Sequence, residues 1–207
     1  MEHWELEQEA AAAGYTAVCG VDEAGAGPLA GPVYAAAVIL PFALELPYLN
    51  DSKQVTPKRR DRLFDLIREQ AVAWSIASVS AEEIDEIDIL NARMKAMQLA
   101  IDGLTPAADF ALIDGNRDHG SRCAIITAHE TVVKGDSRSP SIAAASILAK
   151  VSRDRYMEEL ADTYPQYRFE QHKGYPTKLH YEMLDQFGPS PVHRKTFLAK
   201  WEAKGRG

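Results

Sequence analysis

The spacing of apolar positions changes period several times along the chain. Residues 16–24 (TAVCGVDEA) and 31–40 (GPVYAAAVIL) are short runs of small and β-branched residues that read as two strands, the second apolar enough to lie centrally in a sheet. A Pro-punctuated loop (41–55) follows. Residues 56–71 then take a helical period, with Thr56 as N-cap, Pro57 in the first turn, and Leu63 and Ile67 on one face. Residues 72–80 alternate as a strand, 80–87 open a short helix with a capping signature, and 89–104 form a second amphipathic helix. Residues 109–115 read as a short buried strand ending in Asp114, and 122–128 and 130–136 as further short apolar pieces, the latter closing on Asp136. The longest helix is predicted over 139–164, with Ser139 as cap, Pro140 at its first position, and Ala143, Ala144 and Ala145 as a stripe small enough to lie close against a sheet. The remainder mixes aromatics, basic residues and short helices. Strands gathered early, then helix and strand in alternation, predict an α/β layer fold with a mixed sheet.

Composition narrows this picture. At 207 residues, 46% hydrophobic and 26% charged, the chain fits one large domain with a real core. No apolar run is long enough for a membrane span, and the acidic start MEHWELEQEAAAAGY lacks the form of a secretory signal, so a cytoplasmic protein without membrane partners is expected. Cys19 and Cys123 both lie in apolar stretches and are expected to be plain buried thiols. The net charge of −7 is unevenly spread: residues 1–133 carry 10 Lys+Arg against 21 Asp+Glu, and residues 134–207 carry 13 against 9. A net positive C-terminal third fits a phosphate-facing surface as well as it fits a solvated mixture of charges.

Candidate chemistry starts with AVCGVDEAGAGPLAGPV (17–33), where Asp22 and Glu23 end a buried strand and almost every following side chain is absent. Burying carboxylates without a cation is costly, so something positive should meet them. Asp114 in LIDGN and Asp136 in VVKGDS also fall at predicted strand ends beside glycine, where open α/β sheets build their sites. Oxygen ligands without matching Cys or His spacing favour Mg²⁺ or Mn²⁺, and two such ions would serve phosphodiester hydrolysis. Taken singly, Asp114 or Asp136 is also what an ordinary Asp-Gly turn looks like.

The order of motifs decides between these readings. GVDEAGxGPLAGPV, NDSKQ, LIDGN, VVKGDSRSPSIAAASILAKVSRDR and YPQYRFEQHKGYPTKLHYEMLDQFGPSPVHRKTF together resemble the prokaryotic ribonuclease HII family over residues 16–197. The resemblance implies an RNase H-like mixed β-sheet flanked by helices, with a small C-terminal helical segment. It implies a single catalytic domain in which residues about 165–207 help bind substrate. The implied activity is hydrolysis of the RNA strand of RNA/DNA hybrids and nicking 5′ of ribonucleotides embedded in duplex DNA. That reaction uses Mg²⁺ or Mn²⁺ in a two-metal site and leaves a 3′-hydroxyl and a 5′-phosphate. The family's metal-binding acids fall on Asp22, Glu23, Asp114 and Asp136. Nucleic acid is the expected partner and a monomer the expected state.

The small-residue segment gains a purpose from this resemblance. Distinguishing RNA from DNA means detecting one 2′-hydroxyl, and backbone groups at Gly25 and Gly27 can meet it where no side chain intervenes. The family's usual Gly-Arg-Gly is here Gly-Ala-Gly, so Ala26 forgoes a phosphate contact, and a weakened enzyme is expected rather than a dead one. Asn50, Ser52 and Lys53 match a family loop near substrate; read alone, NDSKQ is a surface turn. Lys134, Ser146, Lys150 and Arg153 are candidates for lining the groove, Tyr175 for stacking on a sugar with Tyr164 as competitor, and His172 and His193 for touching phosphate. A dinucleotide loop is excluded by the G-x-G-x-x-x-G spacing, by Pro28 and by the two preceding acids. A non-catalytic hybrid-binding module remains the alternative.

Overall fold

The computed structural model describes residues 4–47, 49 and 56–204. Five strands form one mixed sheet: β1 (Val18–Ala24), β2 (Val33–Ile39), β3 (Ala73–Val79), β4 (Phe110–Asp114) and β5 (His129–Val132), in the order β3-β2-β1-β4-β5. β1 pairs antiparallel with β2 (Asp22 opposite Ala36) and parallel with β4, and β4 runs parallel to β5. The C-terminal ends of β1, β4 and β5 therefore share one edge. Helix α1 (Glu5–Ala12) precedes the sheet. Helices α2 (Pro57–Gln70), α3 (Ala81–Ile87), α4 (Ile89–Asp102) and α5 (Pro140–Thr163) follow, then α6 (Phe169–His172), α7 (Lys178–Phe187) and α8 (Lys195–Lys204). The expected RNase H-like sheet flanked by helices, with short helices after residue 165, is the fold observed. No described helix is long and apolar enough to cross a membrane.

Strand alternation divides the core into two layers. Cys19 and Val21 face the apolar cluster built with Met94 and Met97 of α4, while Ala24, Ala36 and Val38 face the cluster containing Ala144, Ile147 and Leu148 of α5. The alanine stripe lets α5 approach β1 closely, and Gly20 completes the fit: a Cβ there would stand 2.1 Å from the backbone nitrogen of Ile142. Thr56, Ser80 and Ser139 cap α2, α3 and α5 as their sequence positions predict.

Three features add to or correct the sequence reading. Helix α1 was hidden by its acidic composition; it is held by Leu6 in a cluster with Leu112 and Ile142 and by buried Glu7, whose Oε1 accepts the Ser139 hydroxyl (2.6 Å) and the Ser141 N–H (3.3 Å) at the head of α5. Residues 122–128, a short apolar piece in the sequence, make only an isolated bridge, His119–Ala124. Side chains of α4 take the place of a neighbouring strand: Asn91 Oδ1 accepts the N–H groups of Arg122 and Cys123, and Gln98 Oε1 accepts that of Ile126. Cys19 is buried, its thiol pushed up to about 12 by desolvation, but Cys123 is only half-buried.

The Gly20 contact yields a direct test. Gly20→Ala is expected to cost about 3 kcal/mol, the upper range for overpacking, and to lower the melting temperature by roughly 6–12 °C. Thermal denaturation followed by circular dichroism measures it, and an unchanged melting temperature would mean that α5 does not pack so closely.

Candidate functional site

The shared edge of β1, β4 and β5 opens into a cleft of about 390 Å³. It is lined by Glu23 and Asp136, the loop Gly25–Gly27, and Arg60, Lys150 and Tyr175. Asp22 lies beside it, 8% exposed. Burial first, then the charges of Glu23 and Asp114, push the Asp22 carboxyl well above its ordinary range, against hydrogen bonds from the Ser146 hydroxyl and the Glu23 N–H (2.7 Å). Glu23 is raised by burial and by Asp114, an effect opposed by its ion pair with Arg93 (2.5 Å). Asp114 ends β4, and its Oδ1 accepts the Gly135 N–H at 2.6 Å. Asp136 is buried in the one-turn 3₁₀ helix Gly135–Ser137 just before α5, so it follows β5 by a turn rather than ending the strand.

The donor set fits a hard divalent cation: all-oxygen ligands, desolvated, with mutual repulsion already felt by Asp22 and Glu23. As placed, however, no three Asp, Glu, His or Cys side chains among the described residues stand together ready to hold a metal ion. Two causes are visible. Consecutive Asp22 and Glu23 leave opposite faces of β1, and Glu23 is drawn onto Arg93 of α4.

The glycine loop is held from behind. Gly25 has φ +97°, and a Cβ there would strike Arg153 Nε at 2.1 Å; a Cβ on Gly27 would meet nothing within 4 Å. Arg153 and Arg194 are both fully buried. Arg153 donates to the carbonyls of Ala30 (3.2 Å), Pro32 (3.1 Å) and Lys173 (2.9 Å), and Arg194 to those of Gly25 (2.7 Å), Ala26 (3.1 Å) and Gly31 (2.9 Å). Arg153 is thus a buried clamp and not a groove-lining residue, as the sequence had suggested.

Other candidates separate by position. Lys150 and Tyr175 share the cleft, the Lys150 ammonium 5.6 Å from the Tyr175 ring centre and bonded to Asp154 (2.7 Å). Tyr164 packs against Tyr167 in an apolar cluster away from the cleft, so it is Tyr175 that faces it. Lys134 is exposed at the head of the 3₁₀ turn and does not line the cleft. Asn50, Ser52 and Lys53 lie outside the described residues.

His172 and His193 do not face phosphate: both are buried with His180 in one network. His180 Nδ1 meets the Tyr175 carbonyl (2.9 Å), His180 Nε2 meets His193 Nε2 (3.0 Å), and His193 Nδ1 accepts the Ser190 N–H (3.0 Å). His172 Nε2 meets the Tyr167 carbonyl (2.8 Å) and its Nδ1 accepts the Gly174 N–H (3.1 Å). One proton per ring satisfies every contact, and burial pushes His180 and His193 down to about 4. Sequence reading missed Arg60, Arg93, His180 and Arg194. The basic run KRRDR at the head of α2 was a signal for Arg60; a burial signal for Arg194 in PVHRKTF does not exist at the level of composition.

Fold and cleft define an RNase H-like α/β protein with an acidic site at one sheet edge. The chain belongs to the ribonuclease HII family, whose model, described as Ribonuclease HII, matches residues 19–202. A ribonuclease HII of Shouchella clausii (strain KSM-K16) is 54% identical over 194 residues, covering 94% of this chain and 73% of that protein. One of Geobacter sulfurreducens is 50% identical over 202 residues, covering 98% and 91%. The crystal structure of the ribonuclease H2 from Pyrococcus horikoshii OT3 matches with a TM-score of 0.74 at 26% identity, covering 92% of this chain and 99% of that one. The chain is accordingly an enzyme of an endonuclease family, a phosphodiester hydrolase.

Two outcomes follow from these charges. Asp22→Asn removes the buried repulsion and is expected to raise the melting temperature in EDTA by roughly 2–4 °C for each kcal/mol relieved; a lower melting temperature would mean the carboxylate is already satisfied within the fold. The histidines act with opposite sign. Because His180 and His193 fall from 6.5 to about 4 on folding, the unfolded chain binds more protons between those values. Their contribution is complete above pH 6.5 and is lost as pH falls toward 4. An NMR titration should find both rings neutral at about pH 5; rings already charged there would refute the network.

Proposed function

We propose that this chain is an endoribonuclease that cuts the RNA strand of RNA/DNA hybrids and nicks duplex DNA on the 5′ side of an embedded ribonucleotide, leaving a 3′-hydroxyl and a 5′-phosphate. The observation that carries this reading is the juxtaposition, at one sheet edge, of mutually repelling buried carboxylates and a loop with no side chain larger than alanine. Asp22, Glu23, Asp114 and Asp136 would hold Mg²⁺ or Mn²⁺. When bound, such ions supply Lewis acidity toward a water and toward the leaving oxygen of a phosphodiester.

The protein's own groups do the remaining work. As a ligand Glu23 would exchange its ion pair with Arg93 for the metal, and the Ser146 hydroxyl keeps Asp22 oriented. Gly25, Ala26 and Gly27 offer backbone to the ribose, where a 2′-hydroxyl both donates and accepts. The Tyr175 ring, 36% exposed in the cleft, offers a face to a sugar, while Arg60 and Lys150 bring positive charge toward phosphates on the α2 and α5 sides. We read the chain as a monomer and a single catalytic domain whose residues from 165 onward support the substrate face.

Incubating a labelled duplex bearing one ribonucleotide with the protein and Mg²⁺ or Mn²⁺ tests the reading. A nick 5′ of the ribonucleotide is expected with either metal and none in EDTA. No product at any enzyme concentration would favour binding without catalysis. Ala26→Arg is expected to raise kcat/KM by a factor of about 5 to 150, equivalent to about 1–3 kcal/mol for a recovered phosphate contact. An unchanged kcat/KM would show that position 26 does not reach phosphate.

A further inference from the structure

The loop's geometry has a cause that the reacting groups do not supply. In a trans peptide the C=O and the following N–H point in opposite directions, and the Gly25–Ala26 and Ala26–Gly27 bonds are both trans. Arg194 accepts nothing and draws both carbonyls inward, Gly25 O at 2.7 Å and Ala26 O at 3.1 Å. The N–H groups of Ala26 and Gly27 are thereby turned the other way. Among the described residues neither has a hydrogen-bond acceptor, and both residues line the cleft, Gly27 exposed and Ala26 half-buried.

We infer that Arg194 is a positioning residue for the substrate: by gripping the carbonyls of Gly25 and Ala26 it aims the N–H groups of Ala26 and Gly27 into the cleft as a fixed pair of donors for one sugar-phosphate oxygen. The role suits arginine. Its planar fork carries five N–H donors, enough to hold Gly25, Ala26 and Gly31 together, whereas lysine's compact ammonium cannot span three carbonyls on two stretches of backbone. With Arg153 on the carbonyls of Ala30 and Pro32, two buried cations also stand behind a loop that carries alanine at its tip. In this chain the positive field at the loop comes from beneath the backbone rather than from a side chain at position 26. The inference rests on the nucleic-acid substrate of the proposed function, and it names the groups that grip it.

The test compares the parent with Arg194→Lys on a duplex with one ribonucleotide and on the same duplex as all DNA, binding measured in EDTA. A parent preference for the ribonucleotide duplex, reduced on the order of tenfold in Arg194→Lys with all-DNA binding unchanged, supports positioning toward the ribose hydroxyl. An equal loss on both duplexes supports positioning toward phosphate. Full retention of both affinities overturns the inference. Should Arg194→Lys fail to fold, amide hydrogen exchange in the parent decides alone. The Ala26 and Gly27 amides should exchange fast in the free protein and slow on adding duplex; amides already protected, or unaffected by either duplex, overturn the inference. A parent that binds both duplexes but nicks neither with metal present speaks against the proposed activity and leaves the exchange result to judge the positioning role.

Discussion

The site depends on two guanidinium groups that are buried with no carboxylate bonded to either among the described residues. Among the described residues, the hydrogen bonds of Arg153 and Arg194 all go to main-chain carbonyls, five in the loop 25–32 and one at Lys173. A buried cation is tolerable only when its donors are filled, and a bond from a charged donor contributes about 1.5–3 kcal/mol each. The same bonds fix a stretch that has few side chains with which to anchor itself. Three backbone bonds complete the seam: Leu29 N–H to Gly174, Gly31 N–H to Val192, and Arg194 N–H to Leu29. The glycine loop and the C-terminal helical segment are therefore a single construction, and the segment after residue 165 forms the back wall of the site.

Close packing sets the other half of the site. Helix α5 bears on β1 at Gly20 and delivers Ser146 to Asp22 and Lys150 to the cleft. The 3₁₀ turn before it carries Asp136, and Glu7 from α1 caps its first turn. A shift of α5 away from the sheet would thus move a hydroxyl donor, a cation and an acid at once. That coupling explains why a residue as plain as Gly20 matters to a cleft two residues further along the strand.

The sequence made legible those features written in local pattern. Strands β1 to β4, helices α2 to α5 and the caps of α2, α3 and α5 were readable because period, capping residues and proline positions act over a few residues. The acids were readable because carboxylates at the ends of apolar runs conflict with their surroundings. What escaped was set by long-range contact. Helix α1 has too little apolar periodicity of its own and is fixed by Glu7 reaching Ser139, 132 residues away. The apolar piece 122–128 forms no strand because Asn91 and Gln98 of α4 take up its N–H groups, which its own composition does not reveal. Arg153 and the histidines look like surface residues in sequence, because charge and polarity do not reveal burial when the compensating groups are backbone atoms scattered over the chain.

Electrostatically the cleft is asymmetric. On one side, Asp22 and Glu23 are raised by burial and by their neighbours, a state that costs stability unless positive charge arrives. Arg93 supplies part of that charge to Glu23 alone. On the other side, Arg153 and Arg194 hold charge that burial also penalises, Arg194 falling to about 9 through desolvation and the proximity of Arg153. The two excesses do not cancel, since no ion pair joins these arginines to the acids among the described residues. A polyanion entering with divalent cations would relieve both: the cations answer the carboxylates, and phosphates answer the field behind the loop. Each half of the site is thus left unsatisfied by the folded chain in the sense that the other component of the complex can satisfy, which is the arrangement that favours binding metal and nucleic acid together over either alone.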